Sequence, residues 1–197
     1  MKLWPDFAAV VPEHEGEKTL AASLWWATRR YNCAPAPNGL ALVQDFLNTR
    51  PSAVHGPDLL RDGTHAQAWA NTAVWGWSHL RGAECRAPEL TDADAGRLRQ
   101  LRDTLDSWFG PRLPTEARLP KSDASVNLAW REGEVSWTPS GDGWRWFHSA
   151  IMGEVFISQR TGVWVRFKQC RNLECRATFF DRTWDMREIW HDARTGT

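Results

Sequence analysis

Long apolar runs and an excess of charge of either sign are both missing from this sequence. The longest early apolar run, from Phe7 to Val11, is shorter than an export signal or a membrane span requires. We therefore expect no membrane association and a cytoplasmic location. Because 24 basic residues balance 24 acidic ones, the chain also lacks the strongly basic composition of many nucleic-acid-binding proteins. Any nucleic-acid contact must come from a local cluster of charge.

Cysteine is scarce as well, and the common catalytic motifs are absent. Four cysteines are spread along 197 residues as Cys33, Cys85, Cys170 and Cys175, which favours intracellular thiols over a disulfide framework. The sequence has no phosphate-binding glycine loop, no paired metal histidines on a helix and no nucleophile elbow. These absences argue against an enzyme.

Tyrosine occurs once, whereas tryptophan occurs fourteen times. Indole rings bury large areas and each carries one N–H donor, so they suit either a thick core or an aromatic pocket. We expect most of them in the core. A pocket for a small apolar or aromatic molecule is the alternative. Its candidate lining residues are Trp69, Trp75, Trp77, Trp130, Trp144 and Trp146, with Asn48, Asp45 and His148 as polar groups.

Hydrophobic periodicity predicts helices in the first part of the chain. They are a helix from about Glu17 to Tyr31, one from Leu40 to Arg50 that Pro51 ends, one that begins between Thr64 and Trp69, and one that Thr91 and Asp94 cap. The last two carry apolar rows formed by Trp69, Ala73, Trp77 and Leu80 and by Ala95, Leu98, Leu101, Leu105 and Trp108. We interpret the neighbouring arginines, Arg97, Arg99 and Arg102, as a solvated face.

The period changes from helical to two after residue 125. Alternating residues on either side of Glu132-Gly133 predict a β-hairpin. A helix from Trp144 to Ser158 and a strand from Val163 to Lys168 are predicted to follow it. The expected fold class is therefore α+β, with a mostly helical domain, a β-hairpin and a small C-terminal segment.

The most specific stretch lies between Arg166 and Asp181. It places Cys170 and Cys175 five positions apart between two aromatic, β-prone runs. Two thiolates on a tight turn between strands form half of a tetrahedral zinc site. Cys33 or Cys85 could complete such a site only if the fold brings one of them close.

Residues 166–192 resemble the C-terminal zinc finger of the CGNR family. The matching residues are Cys170, Cys175, Phe180-Asp181-Arg182-Thr183 and Trp190. The family's third cysteine falls on His191 and its fourth near Gly196, and the Cys-Gly-Asn-Arg signature and basic tail are missing here. The run from Leu40 to Thr49 is similar to the opening of the ABATE domain that precedes this finger, with one extra residue at Val43-Gln44.

The resemblance implies a stress-induced transcription regulator in which Cys170, Cys175 and His191 bind zinc, with Asp192 a poor fourth ligand. Together with the periodicity, the resemblance predicts three parts: an extension over residues 1–38, an ABATE-like domain over 39–160 and a degenerate zinc finger over 161–197. The finger is expected to resemble a treble clef or a zinc knuckle. Two other outcomes stay open for the cysteines. One is a disulfide between them; the other is a metal-free turn held by Phe179, Phe180, Trp184 and Trp190.

Basic residues are modestly concentrated in the same region. Residues 160–194 contain eight basic and five acidic side chains, which gives a net charge of about +3. This charge is sufficient for phosphate contacts but small for high-affinity binding to nucleic acid. The candidate DNA-contacting residues are Arg166, Lys168, Arg171, Arg176, Arg182 and Arg187. We expect a ligand-sensing regulator whose C-terminal end binds DNA or a protein partner, with a homodimer as a further expectation. The alternative is a relative that binds or transforms a small apolar molecule without binding DNA.

Overall fold

Five helices and two small antiparallel hairpins make up the described part of the chain, so the expected α+β class is confirmed. The computed structural model describes residues 24–82, 85–109, 123–131 and 133–191. The helices are α1 (Trp26–Arg29), α2 (Leu40–Leu47), α3 (Gly63–Leu80), α4 (Asp92–Asp106) and α5 (Trp144–Arg160). The strands are β1 (Val126–Arg131), β2 (Glu134–Pro139), β3 (Phe167–Gln169) and β4 (Thr178–Phe180). None of the described helices is both long and apolar enough to cross a membrane.

Helix α2 lies at the centre of the core. All eight of its residues are buried, and it packs against α1, α3, α4, α5 and β4. The sequence predicts one apolar stripe on this helix, but neighbouring elements cover its polar side chains as well. The predicted end at Arg50 is wrong, because the helix ends at Leu47. Asn48, Thr49 and Arg50 follow it as a buried turn.

A buried carboxylate links α2 to its neighbours. One oxygen of Asp45 accepts a hydrogen bond from the backbone N–H of Thr28 at 2.8 Å, and the other accepts one from the indole N–H of Trp69 at 2.9 Å. Burial raises the pKa of Asp45 to about 6, although both hydrogen bonds favour the ionised form. The carboxylate is tolerated in the core because each oxygen has a donor.

A second buried carboxylate, Glu154 on α5, contacts α3 and the start of α2. It accepts hydrogen bonds from the indole N–H of Trp77 at 2.7 Å and from Arg81 at 3.0 Å. Its carboxyl group lies directly against Gly39, because a Cβ at that position would be only 2.0 Å from the carboxyl carbon. Since Gly39 immediately precedes α2, the carboxylate faces the positive end of that helix. Burial raises the pKa of Glu154, and Arg81 opposes that shift.

The helix ends follow local sequence signals. The predicted capping box is confirmed: the N–H of Asp94 donates to the hydroxyl of Thr91 at 3.2 Å, and the N–H of Thr91 donates to the carboxylate of Asp94 at 2.9 Å. Helix α3 begins after Asp62, whose side chain accepts a hydrogen bond from the N–H of His65 at 2.9 Å. The apolar row predicted for α3 stops before Leu80, which is 52% exposed.

The interpretation of a solvated arginine face on α4 is wrong for Arg102. This side chain is buried, and its two terminal nitrogens each donate to a carboxylate oxygen of Asp58 at 2.8 Å. Residue 102 lies four positions after Leu98 and three before Leu105, so helical geometry turns it toward the core. Arg97 is exposed, as the sequence predicts.

Gly76 on α3 leaves room for the residues that precede α1. A Cβ at this position would lie 3.0 Å from side-chain atoms of both Leu24 and Trp25, so the chain itself fills the space. Trp25 has a left-handed backbone with φ of 56°, and the predicted helix from Glu17 to Tyr31 is reduced in the described chain to Trp26–Arg29. Residues 17–23 of that prediction lie outside the described residues.

The predicted β1–β2 hairpin is confirmed, because Trp130 pairs with Val135 and Arg131 pairs with Glu134. Glu132, the first residue of the predicted turn, lies outside the described residues. One face of the hairpin is apolar, and Trp137 on that face packs against Trp77 with ring centres 5.9 Å apart. Nearer the turn the face is uncovered: Trp130 is 72% exposed and Val135 is 61% exposed.

The strands β3 and β4, with the loop of residues 170–177 between them, form a C-terminal hairpin in which Gln169 pairs with Thr178. The strand predicted from Val163 to Lys168 is wrong over residues 163–166, and residues 164–166 form a 3₁₀ turn. In this turn the N–H of Arg166 donates to the carbonyl of Val163 at 3.1 Å. Each strand is only three residues long, so the hairpin depends on packing for its stability.

Asn48 joins the C-terminal hairpin to the end of α2. Its Oδ1 accepts a hydrogen bond from the N–H of Thr178 at 2.8 Å, and its Nδ2 donates to the carbonyl of Thr178 at 2.9 Å. The Nε2 of Gln44 donates to the same carbonyl at 3.2 Å. All three residues are buried. The side-chain amide of Asn48 therefore bonds to both backbone groups of Thr178, as the backbone of a neighbouring strand would.

We expect Asn48→Ala to lower the free energy of unfolding by about 3 kcal/mol, because it removes two buried hydrogen bonds and leaves the N–H of Thr178 without its partner. Asn71→Ala is the matched control on the exposed face of α3, and its effect should stay within about 0.5 kcal/mol. Urea denaturation measures both variants. Equal effects at the two positions would contradict the docking role of Asn48.

Candidate metal centre

The loop of the C-terminal hairpin brings two cysteines together. The N–H of Cys170 donates to the carbonyl of Ala177 at 2.8 Å, which closes the loop, and the N–H of Ala177 in turn lies 3.5 Å from the sulfur of Cys175. Both cysteines are buried. A backbone N–H directed at a sulfur favours its thiolate form, which is the form that binds metals.

The segment after β4 folds back along the hairpin through Asp181. This buried carboxylate accepts hydrogen bonds from Lys168 at 2.7 Å, from the N–H of Thr183 at 2.9 Å and from the N–H of Glu188 at 3.1 Å. Burial alone would raise the pKa of Asp181, but Lys168 and Thr183 outweigh it and lower the pKa to about 2. The matched motif of residues 180–183 is therefore the anchor of this segment.

Further backbone contacts carry the segment as far as His191. The N–H of Arg171 donates to the carbonyl of Ile189 at 3.1 Å, and Lys168 donates to the carbonyl of Glu188 at 3.1 Å. Residues 186–189 are thereby held beside β3 and the start of the loop. His191 follows two residues later and reaches the cysteines.

Cys170, Cys175 and His191 lie close enough to hold a metal ion. Their ligating atoms are all within 4.8 Å of one another, and the Sγ of Cys175 is 3.6 Å from the Nδ1 of His191. Burial raises the pKa of Cys175 to about 11, so the thiol is protonated at neutral pH and metal binding must release its proton. The three residues predicted as ligands are thus brought together by the fold.

An apolar cluster surrounds this site. It contains Cys170 and Cys175, and the other buried members are Tyr31, Cys33, Ala177 and Phe179, with Trp190 packed against them. Of the aromatic residues predicted to brace the turn, Phe179 and Trp190 do so, whereas Trp184 is 94% exposed. No disulfide joins Cys170 to Cys175.

Asp106, at the end of α4, ties the site to the helical body. Its carboxylate accepts a hydrogen bond from Gln169 at 2.6 Å and forms ion pairs with Arg50 and with Arg176. Two of these partners lie next to the cysteines, because Gln169 directly precedes Cys170 and Arg176 directly follows Cys175. The hairpin is therefore held at two places, by Asp106 and by Asn48.

The structure places most of the predicted DNA-contacting side chains in contacts within the chain. Arg166 donates to the carbonyl of Thr183 at 2.7 Å, and Arg182 donates to the carbonyl of Pro35 at 2.7 Å. Lys168 and Arg176 pair with Asp181 and Asp106 as described above. Arg171 is exposed, and the side chain of Arg187 is 85% exposed and 3.7 Å from Asp185.

The residues predicted to line an aromatic pocket lie in different surroundings. Trp69, Trp77, Trp146 and Asn48 are buried, and the rings of Trp77 and Trp146 are in contact at 5.6 Å. Trp144 stacks on His148 with ring centres 5.6 Å apart, and burial lowers the pKa of His148. Trp130 lies on the exposed face of the β1–β2 hairpin. The structure therefore brings only part of this set into direct contact.

Sequence reasoning missed Asp181 and Asp106 as the residues that position the site. The spacing Asp181-x-Thr183 is a turn signal that could have indicated the first of them. Asp106 gives no local signal, because its partners Arg50 and Gln169 are more than fifty residues away.

No family model, curated protein or solved structure matches this chain. The similarity to the ABATE domain and the CGNR finger therefore depends on the matched motifs alone. The function is therefore inferred from the geometry of Cys170, Cys175 and His191 and of the residues around them.

Arg176 occupies a strained position directly after Cys175. Its φ of 50° is left-handed, a conformation that costs a residue with a side chain about 1–2 kcal/mol. We expect Arg176→Gly to be more stable than Arg176→Ala by about 1 kcal/mol, because both lose the ion pair with Asp106 and only glycine relieves the strain. Urea denaturation of the two variants measures the difference. Equal stabilities would exclude strain at residue 176.

Proposed function

We propose that the protein binds one zinc ion through Cys170, Cys175 and His191. The observation that carries this proposal is the convergence of three ligating atoms within 4.8 Å, supplied by two separate segments of the chain. Zinc ligands at sulfur and nitrogen distances of about 2.3 and 2.05 Å that subtend a tetrahedral angle lie about 3.6 Å apart. The Sγ of Cys175 and the Nδ1 of His191 are 3.6 Å apart, which fits that spacing.

The chemistry of the donors also favours zinc. Thiolate and imidazole ligands suit zinc, whereas magnesium and calcium require oxygen ligands. A bound zinc ion supplies a cross-link between its ligands. The residues of the chain prepare the site: Asp181 and Lys168 hold the returning segment, and Asn48 holds the hairpin. The proposed role of the ion is therefore to fasten residues 181–191 onto the hairpin.

We expect the purified protein to contain one zinc ion per chain, and Cys170→Ser to lose it, because the variant removes a thiolate from the site. Mass spectrometry under native conditions and elemental analysis give the stoichiometry. The matched control is Cys85→Ser, since Cys85 packs against the main core and not in the apolar cluster of the site. Full zinc retention by Cys170→Ser would overturn the proposal.

We propose further that the zinc-fastened end contacts DNA and that the protein regulates transcription. Support comes from its similarity to the CGNR finger and from the surface of residues 171–187. Arg171 and Arg187 expose their charges there, and Trp184 is 94% exposed. Exposed guanidinium groups bind phosphates, and an exposed indole can stack on or insert between bases. The proposed contacts are thus Arg171, Arg187 and Trp184, while Arg166, Lys168 and Arg176 maintain the structure.

Binding to double-stranded DNA should weaken as salt rises, with a slope that reports the number of phosphates neutralised. The double variant Arg171→Ala/Arg187→Ala is expected to reduce that slope by about 2, or one per phosphate contact. Fluorescence anisotropy over a salt series measures this effect.

The control pair, Arg86→Ala/Arg97→Ala, removes the same charge from exposed positions outside the surface of residues 171–187. An equal decrease of the salt-dependence slope in both double variants would contradict the DNA-binding role. So would the absence of salt-sensitive DNA binding by the unmodified protein.

A further inference from the structure

The three ligating atoms of the proposed site are one fewer than a structural zinc site normally has. A further sulfur lies in the same apolar cluster. Cys33 is only 7% exposed and packs in the cluster that contains Cys170 and Cys175. The remaining cysteine, Cys85, packs against the main core instead. The fold thus distinguishes between the two cysteines that lie outside the hairpin.

The backbone next to Cys33 is fixed by Gln44 of α2. Gln44 donates to the carbonyl of Ala34 at 3.2 Å and accepts a short hydrogen bond from the N–H of Ala36. The same side-chain amide group donates to the carbonyl of Thr178 on β4. One buried side chain therefore sets the position of the Cys33 segment relative to the C-terminal hairpin.

A second contact joins the two segments from the other direction. Arg182, directly after the anchor Asp181, donates to the carbonyl of Pro35 at 2.7 Å. The sulfur of Cys33 itself lies 3.7 Å from the carbonyl oxygen of Tyr31, another member of the cluster. A cysteine side chain has a single rotatable bond with three staggered positions, so its sulfur can change direction while the backbone stays in place.

We infer that Cys33 is the fourth ligand of the zinc ion, which makes the site one of three cysteines and one histidine. This inference rests on the proposed zinc site and adds a ligand from a sequence-distant segment. Three cysteines and one histidine are a recognised ligand set for structural zinc. The ion would then join the residues before α2 to the C-terminal hairpin, across the interface that Gln44 and Arg182 already bridge.

X-ray absorption spectroscopy of the zinc-loaded full chain tests the inference without any substitution. Three sulfur neighbours and one nitrogen neighbour at zinc are the expected result. Two sulfurs with two nitrogen or oxygen neighbours would overturn it.

Cobalt substitution provides the second test. The thiolate-to-cobalt charge-transfer absorption of Cys33→Ser should fall by about one third, from three thiolates to two, and zinc should bind at least about tenfold more weakly. Cys85→Ser is the matched control and should behave as the unmodified protein. Circular dichroism in the presence of a chelator verifies that Cys33→Ser is folded.

The outcomes separate the two proposals. If Cys33→Ser keeps the unmodified spectrum and affinity while Cys170→Ser loses the metal, Cys33 is not a ligand and the zinc site stands. If Cys170→Ser keeps the metal, the zinc site itself is wrong.

Discussion

The C-terminal part of this protein depends on the side-chain amide of Asn48, which bonds to β4 in the way that a neighbouring strand would. Asn48 bonds to both the N–H and the carbonyl of Thr178 inside the core. The two strands of the hairpin are three residues each, and so short a pair has little stability of its own. Fixing one residue of β4 at both of its backbone groups also fixes the register of the hairpin. The positions of Cys170 and Cys175 follow from that register.

Helix α2 and the turn that follows it carry three polar residues into the core, and each has a specific partner. Gln44 and Asn48 are one turn apart and reach the same carbonyl of Thr178. Asp45 lies beside them and holds Thr28 and Trp69. Burying these groups is tolerable only because they are bonded. Their geometry then allows one arrangement of the surrounding segments, whereas an apolar surface of the same size would accept several.

Local features of this fold were predictable from the sequence, and distant pairings were not. The capping box of Thr91 and Asp94 and the pairing of β1 with β2 depend on residues that are close in the sequence, so their patterns are visible in it. Arg102 looked like a surface arginine because its partner Asp58 is 44 positions away. The sequence favours a pocket position for Asn48 for a similar reason, since its partner Thr178 is 130 positions away. The cysteine pair and His191 were found because a short motif holds them within 22 positions.

The way the site is supported indicates what a metal ion would add. Small zinc fingers have no other core, so they unfold when the metal is removed. Here Asn48 and Asp106 hold the hairpin on the helical body, and Asp181 holds the segment that ends at His191. The fold therefore positions Cys170, Cys175 and His191 before an ion binds, so binding would not have to order the segments that carry them. A metal ion would stabilise the C-terminal segment locally, while the packing around α2 would keep the helical body folded without it.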